Sequence, residues 1–120
     1  MIVAGFGFRS SATVESFTDA LVRAQGPEPN LFATLDGKAQ TDAFSAFCLS
    51  QNLPLRTVST GDAQRQKTQT SSESSHAAYG VGSVAEACAL AAAGPGARLL
   101  GPRVVSGDRL ATCALAETAR

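Results

Sequence analysis

Residues 79–90 read YGVGSVAEACAL, and this stretch decides what kind of fold the chain builds. Tyr79 closes a long polar segment, Gly80 and Gly82 let the backbone turn without side-chain clashes, and Ser83 opens a small-residue run suited to a close-packed helix over 83–93. Ser83 and Glu86 have the spacing of a capping box, in which the hydroxyl accepts from the N3 amide and the carboxylate reaches back to the N-cap amide. Free amides at a helix N-terminus, approached through two glycines, also attract a carboxylate or phosphate. The turn is therefore the leading candidate site, with capping and ligand binding compatible roles for the same residues.

Upstream, residues 2–6 form a short apolar strand that ends in a glycine turn at Gly5 and Gly7. Ser10, Ser11 and Thr13 offer N-caps for a helix over about 12–25, with Val14, Phe17, Leu21 and Val22 on one face and Gly26 and Pro27 ending it. Strand, glycine turn and capped helix resemble the opening of a dinucleotide site. That fingerprint needs a third glycine where Ser10 stands and an acidic residue about 20 positions on, so a nicotinamide cofactor is disfavoured. Leu31–Leu35 makes a second strand. Asp36 then reads as N-cap of a helix over about 39–50 that buries Ala43, Phe44, Phe47 and Cys48. Lys38 falls in the first turn of that helix, where a cation opposes the dipole; it is either solvated or kept for an anionic ligand.

Leu53–Val58 gives a third strand with Pro54 near its start. From Ser59 to Ala78 the only apolar residues are alanines, too little to offset ordering entropy, so a mobile loop is expected with helical turns at most around 63–66 and 73–79. A loop of that length in a compact domain is a candidate lid. His76 lies in it, a loop residue with a ligand contact from the lid as the alternative. After Gly94, Pro95 and Gly96, residues 97–100 read as a fourth strand, and 103–105 with 110–115 as a hairpin around Ser106, Gly107 and Asp108. Helices alternate with strands early and strands accumulate late. The expected fold is one α/β domain over 1–120, a three-layer α/β/α sandwich whose mixed sheet has about five strands and is antiparallel at its C-terminal edge.

Composition narrows the function classes. Ten basic and ten acidic residues cancel, and no Lys/Arg cluster offers a footprint for nucleic acid or anionic lipid. The apolar fraction of 44% is carried mostly by Ala, Val and Leu, with 6% aromatics and no Trp, which argues against stacking on bases. The N-terminal apolar run is too short for a signal peptide and lacks a positive region before it, so a cytoplasmic protein is expected. Cys48, Cys88 and Cys113 are odd in number, far apart and set among apolar neighbours, as reduced core thiols are. They have no metal-ligand spacing, and the lone His76 has no evident partner for a zinc site or a Ser-His-Asp triad. Neither metal nor cofactor is expected.

The opening VAGFGFR, the DGKA turn at 36–39, the SE at 72–73 leading into YGVGSVAEACAL, and the final LATCALA occur in the order found in one family. Together they resemble the CobE-like cobalamin-biosynthesis proteins, which are similar to the C-terminal domain of CbiG. The resemblance spans essentially the whole chain and implies a role in building the corrin ring of vitamin B12. In CbiG proteins of the anaerobic route the activity is opening of a precorrin lactone with loss of acetaldehyde, whereas CobE-like proteins belong with the aerobic route. The positions matching the family's motifs are Gly5, Gly7, Arg9, Asp36, Lys38, Ser72, Gly80, Ser83, Glu86 and Thr112. Two departures stand out: Thr41 where relatives often carry Glu, and Arg103 where they often show Lys.

Precorrins are polycarboxylates, and helix N-termini near Ser11, 39 and 83, with Arg9, Lys38 and Arg103, are possible anion contacts. Three functions follow. The protein binds and carries a precorrin or corrin intermediate; or it is a hydrolase-type enzyme on a precorrin lactone, with Glu86 or Asp36 as general base and Lys38 steadying an oxyanion; or it is a non-catalytic partner of other pathway enzymes. Catalysis, if present, falls first on Glu86.

Overall fold

The computed structural model describes residues 1–119. Strand β1 (Ile2–Phe8) lies at the centre of a six-stranded sheet, parallel to β2 (Leu31–Leu35), which is parallel in turn to the edge strand β3 (Leu55–Val58). On its other side β1 pairs antiparallel with β6 (Ala111–Glu117) along its whole length, from Ile2 opposite Glu117 to Phe8 opposite Ala111. The short strands β4 (Arg98–Leu99) and β5 (Val104–Val105) pair antiparallel with successive parts of β6. The parallel half thus comes from the strand–helix alternation and the antiparallel half from the C-terminal strands, as the sequence predicts. β1 runs two residues further than expected, so Gly5 and Gly7 stand inside the strand and do not form a turn.

Pleating sorts the side chains onto two faces. Ala4, Phe6 and Phe8 of β1, Phe32 of β2 and Ala111, Cys113 and Leu115 of β6 face α1 (Val14–Ala24) and α2 (Asp42–Gln51). There Phe6 sits among Phe17, Phe32, Phe44 and Phe47 with ring centroids 5.4–6.1 Å apart, mostly edge-to-face. With Phe8, 4.8 Å from Phe17, this layer takes up all six phenylalanines. Val22, expected on the buried face of α1, is 68% exposed; Ser16 and Ala20 are buried with Phe17 instead, because the helix presents the Phe17 side to the sheet.

On the opposite face, Val3, Leu31, Ala33, Leu35 and Val58 meet α5 (Val84–Ala93) and the short α3 (Thr60–Gln64). The alanines of α5 let its backbone lie directly on the strand: a Cβ at Gly5 would overlap the Ala85 carbonyl oxygen and stand 2.5 Å from the Ala89 nitrogen. Gly5 therefore serves close helix–strand approach. Between α3 and α5, the polar stretch contains α4 (Glu73–Tyr79), capped by the Ser72 hydroxyl on the Ser75 amide and ended by Gly80 at φ 68°. α3 begins three residues before its expected turn, capped by Ser59 and anchored by the fully buried Ala63; α4 occupies the expected 73–79.

Two predicted caps differ. α2 starts at Asp42, with Thr41 at its N-cap, and residues 36–40 form turns in which Lys38 and Ala39 both donate backbone hydrogen bonds to Leu35. Asp36 is thus no cap, and Lys38 lies outside the helix, whose first turn carries Asp42 as the dipole prefers. The full capping box belongs to α1, where Thr13 and Ser16 exchange side-chain and backbone hydrogen bonds. In α5, Ser83 accepts from the Glu86 amide at 3.3 Å, but the Glu86 carboxylate is used elsewhere. No helix of the described residues is long and apolar enough to cross a membrane. Cys48, Cys88 and Cys113 are free and buried; burial pushes the Cys48 thiol up to about 11 and Cys88 to about 12, and raises Cys113 as well.

Candidate functional site

The C-terminal ends of β1 and β2 and the N-terminus of α5 converge on a cleft of about 700 Å³, which is where a parallel sheet exposes its strand-to-helix turns. Gly7 and Thr112 form its floor. Thr112 hydrogen-bonds the Gly7 carbonyl at 3.2 Å, and a Cβ at Gly7 would lie 3.0 Å from that hydroxyl and 3.1 Å from Val84 Cβ. Ser83 and Val84 open α5 at one side, and Ser72, Ser74, Ser75, Ala78 and Tyr79 bring α4 in as a hydroxyl-bearing wall. The turn between β5 and β6, with Arg109, closes another side.

Among the described residues four cations reach this cleft: Arg9 at the end of β1, Lys38 after β2, Arg103 before β5 and Arg109 in the hairpin turn. The ion pairs of the described residues are Arg23–Asp19, Arg65–Asp62 and Arg98–Glu117, and use none of the four. Lys38 donates to the Phe8 carbonyl and lies 4.8 Å from the Phe8 ring centroid. Arg103 donates to the Thr70 hydroxyl at 2.8 Å. Among the described residues Asp108 is the one carboxylate lining the cleft, and it accepts from the Ser106 and Ser16 hydroxyls and the Leu110 amide, which hold its carboxyl below the usual range.

Glu86 does not line the cleft. It is fully buried beneath the cleft wall, and its carboxylate takes four hydrogen bonds: from the Gln69 and Thr70 amides at 2.6 and 2.9 Å, the Thr70 hydroxyl at 2.6 Å and the Arg103 amide at 2.8 Å. Burial pushes this carboxyl up, but the Thr70 hydroxyl and the three amides outweigh it and leave it below the usual range. The acid that the sequence places in a capping box therefore ties two loops to α5, because those loops bring unpaired amides where the N-cap amide would have been its partner.

Of the residues singled out from sequence, the structure brings Gly7, Arg9, Lys38, Ser72, Tyr79, Ser83, Arg103 and Thr112 to this one cleft. Gly5 lies under α5, and Ser11 and Asp36 are exposed in turns off the cleft. Gly80 caps α4, and Gly82 accepts from the Ser72 amide where a Cβ would meet the Thr68 hydroxyl at 2.5 Å. His76 is exposed, with its Nε2 2.8 Å from the Ser71 hydroxyl. Sequence reasoning missed Arg109 and the Ser74–Ser75 pair. The SGDR turn was visible as a hairpin tip, but nothing local shows that β6 runs beside β1 and so lays that tip over the end of β1. Among the described residues no group of His, Cys, Asp and Glu is arranged to hold a metal.

Residues 2–116 match the family model described as cobalamin synthesis G C-terminus. Among solved structures, the chain is similar to the cobalamin biosynthesis protein chiG from Agrobacterium tumefaciens, with a TM-score of 0.77 and 34% identity over 100% of both chains. It is also similar to CobE, a protein from the cobalamin (vitamin B12) biosynthetic pathway, with a TM-score of 0.86 and 26% identity, covering 97% of this chain and 92% of that one. A cobalamin biosynthesis protein G homolog from Sulfolobus solfataricus shares the fold, with a TM-score of 0.68 at 16% identity over 98% of this chain and 37% of that one. No curated protein matches the chain.

Proposed function

The chain belongs to the cobalamin synthesis G C-terminus family, and from that premise we propose that its cleft binds a polycarboxylate precorrin or corrin intermediate and holds it without transforming it. The protein is one of cobalamin biosynthesis; the finer reading is carried by the four cations, Arg9, Lys38, Arg103 and Arg109, gathered on one cleft of a chain whose formal net charge is zero. A ring bearing carboxylates on several edges is met by charges on several sides of a bowl, each able to form a charge-assisted hydrogen bond. The glycine floor and the serine wall suit a flat, bulky ligand that needs room below and hydroxyls beside it.

Holding is favoured over lactone opening by the state of the acids. A general base must reach its proton with a free lone pair at a useful pKa. Glu86 has four donors and no exposure, and Asp108 has three donors. His76 lies off the cleft. The test is to mix the protein with individual precorrins and with hydrogenobyrinate, desalt, and record the visible spectrum of the protein fraction. Unchanged colour travelling with the protein, and weakened by Lys38→Ala or Arg103→Ala, is expected. A spectrum that changes with time would replace carriage by catalysis, and colourless protein with every intermediate would leave the role of an assembly partner.

A further inference from the structure

Arg109 occupies an uncommon position for an arginine. It has φ 65°, in the left-handed region where Gly and Asn are at ease, at the tip of the β5–β6 hairpin. Its amide donates to the Ser106 carbonyl at 2.9 Å, but among the described residues its guanidinium has no hydrogen-bond or ion-pair partner, although Asp108 is its neighbour in sequence. The Asp108 carboxylate is turned the other way, onto Ser16 of α1 at 2.5 Å and Ser106 at 2.6 Å. Asp19 of α1, held by Arg23, accepts from the Gly107 amide at 2.6 Å. Two accepting carboxylates thus fasten the hairpin tip to α1, Asp108 on the hairpin and Asp19 on the helix.

The fastened tip lies beside the end of β1, where the Arg9 amide donates to the Leu110 carbonyl at 2.9 Å. Arg9 and Arg109 are therefore carried on adjoining backbone at one rim of the cleft, and both line it. The Arg9 side chain, like that of Arg109, has no protein partner among the described residues. Two guanidinium groups carried on adjoining backbone into one cleft, with the Asp108 and Asp19 carboxylates committed to Ser16, Ser106, Gly107 and Arg23, leave this rim with unneutralised positive charge that an anion would relieve.

Resting on the reading of the cleft as a polycarboxylate site, we infer that Arg9 and Arg109 together grip one carboxylate of the ligand, and that Asp108 and Asp19 are positioning residues that hold Arg109 at that rim. A planar guanidinium matches a carboxylate edge in a bidentate way that an ammonium does not, so this rim reads one carboxylate by geometry while Lys38, held on the Phe8 carbonyl, acts as a point charge.

The test measures the affinity of the intact chain for hydrogenobyrinate, and for the same corrin with its carboxylates amidated, by quenching or absorbance titration. Arg109→Gln is expected to weaken hydrogenobyrinate binding about ten- to a hundredfold, as loss of a charge-assisted contact does, with an unchanged melting temperature; Arg109→Lys recovers only part of this. Asp108→Asn is expected to weaken binding in the wild-type background but to add nothing to Arg109→Gln, since it acts through Arg109; a merely structural Asp108 would give additive losses. Arg65→Gln, at the residue that follows α3 and away from the cleft, leaves affinity unchanged. The wild type is expected to bind the amidated corrin less tightly, and Arg109→Gln to shrink that difference. If Lys38→Ala weakens binding and Arg109→Gln does not, the inference is overturned while the cleft stands; if neither the wild type nor any variant binds, both fall together.

Discussion

At the residue scale Glu86 shows how one side chain can be right in place and different in role. Sequence spacing puts it three residues after Ser83 and gives it a cap; burial and two converging loops give it four donors instead. Glu86→Gln turns one acceptor oxygen into a donor facing donors, so unfolding free energy should drop by about 2 kcal/mol in denaturant titration, since a hydrogen bond to a charged group is worth about that much. Binding should then fail through displacement of Arg103. Because folding lowers this carboxyl below its usual value near 4.5, its contribution is fully present above that value and is lost as pH falls through the folded pKa. Wild type and Glu86→Gln should accordingly converge in stability as the solution is acidified, and a gap that stays constant would show the charge to be irrelevant. The thiols are legible from sequence and remain inert for the same physical reason: with Cys48 raised to about 11 and Cys88 to about 12, a thiol reagent should label them only as fast as the protein unfolds.

Elements meet at two glycines of β1 that read from sequence as a turn and are in fact a packing surface. Gly5 faces the α5 backbone with no space for a methyl, so Gly5→Ala must lift the helix from the sheet; a loss of about 3 kcal/mol, or failure to fold, is expected by chemical denaturation. Gly7→Ala meets Thr112 and Val84 near 3 Å and asks them only to give slightly. It should cost under about 1 kcal/mol yet weaken ligand binding by raising the floor of the cleft, and an unchanged affinity would remove that floor from the contact surface. The α4 wall behaves differently again. None of its residues is buried, and it is held to the fold by the Ser72–Gly82 backbone bond, the Gln64 side chain on the Tyr79 carbonyl and the partly buried Tyr79, so its amides should exchange with solvent faster than those of α5 and slow on binding. A helix there was visible in the sequence; its place as a wall of the cleft was not.

For the whole molecule the decisive fact is that neutrality overall conceals local imbalance. Acidic side chains are spent on helix first turns, on surface pairs and on the loop ties at Glu86 and Asp108, while four cations are left together. Binding of an anionic corrin should therefore weaken steadily with added salt over the range in which the Debye length shrinks from about 10 to about 3 Å, and a salt-independent affinity would mean that packing, not charge, selects the ligand. The sequence by itself determined the order and type of the elements, the burial of Phe17, Phe44, Phe47 and the cysteines, and part of the cleft lining, such as Gly7, Arg9, Ser72 and Ser83, because hydrophobic period, turn residues and helix starts are local properties of the chain. Only the tertiary structure decided that Gly5 packs against α5 away from the cleft lining, that Lys38 folds back onto Phe8, that Glu86 is a tie, and that Arg109 joins Arg9 at one rim. Each of those rests on which strand lies beside which, above all β6 against β1, and that pairing is fixed by the packing of residues a hundred positions apart, where no local pattern carries the information.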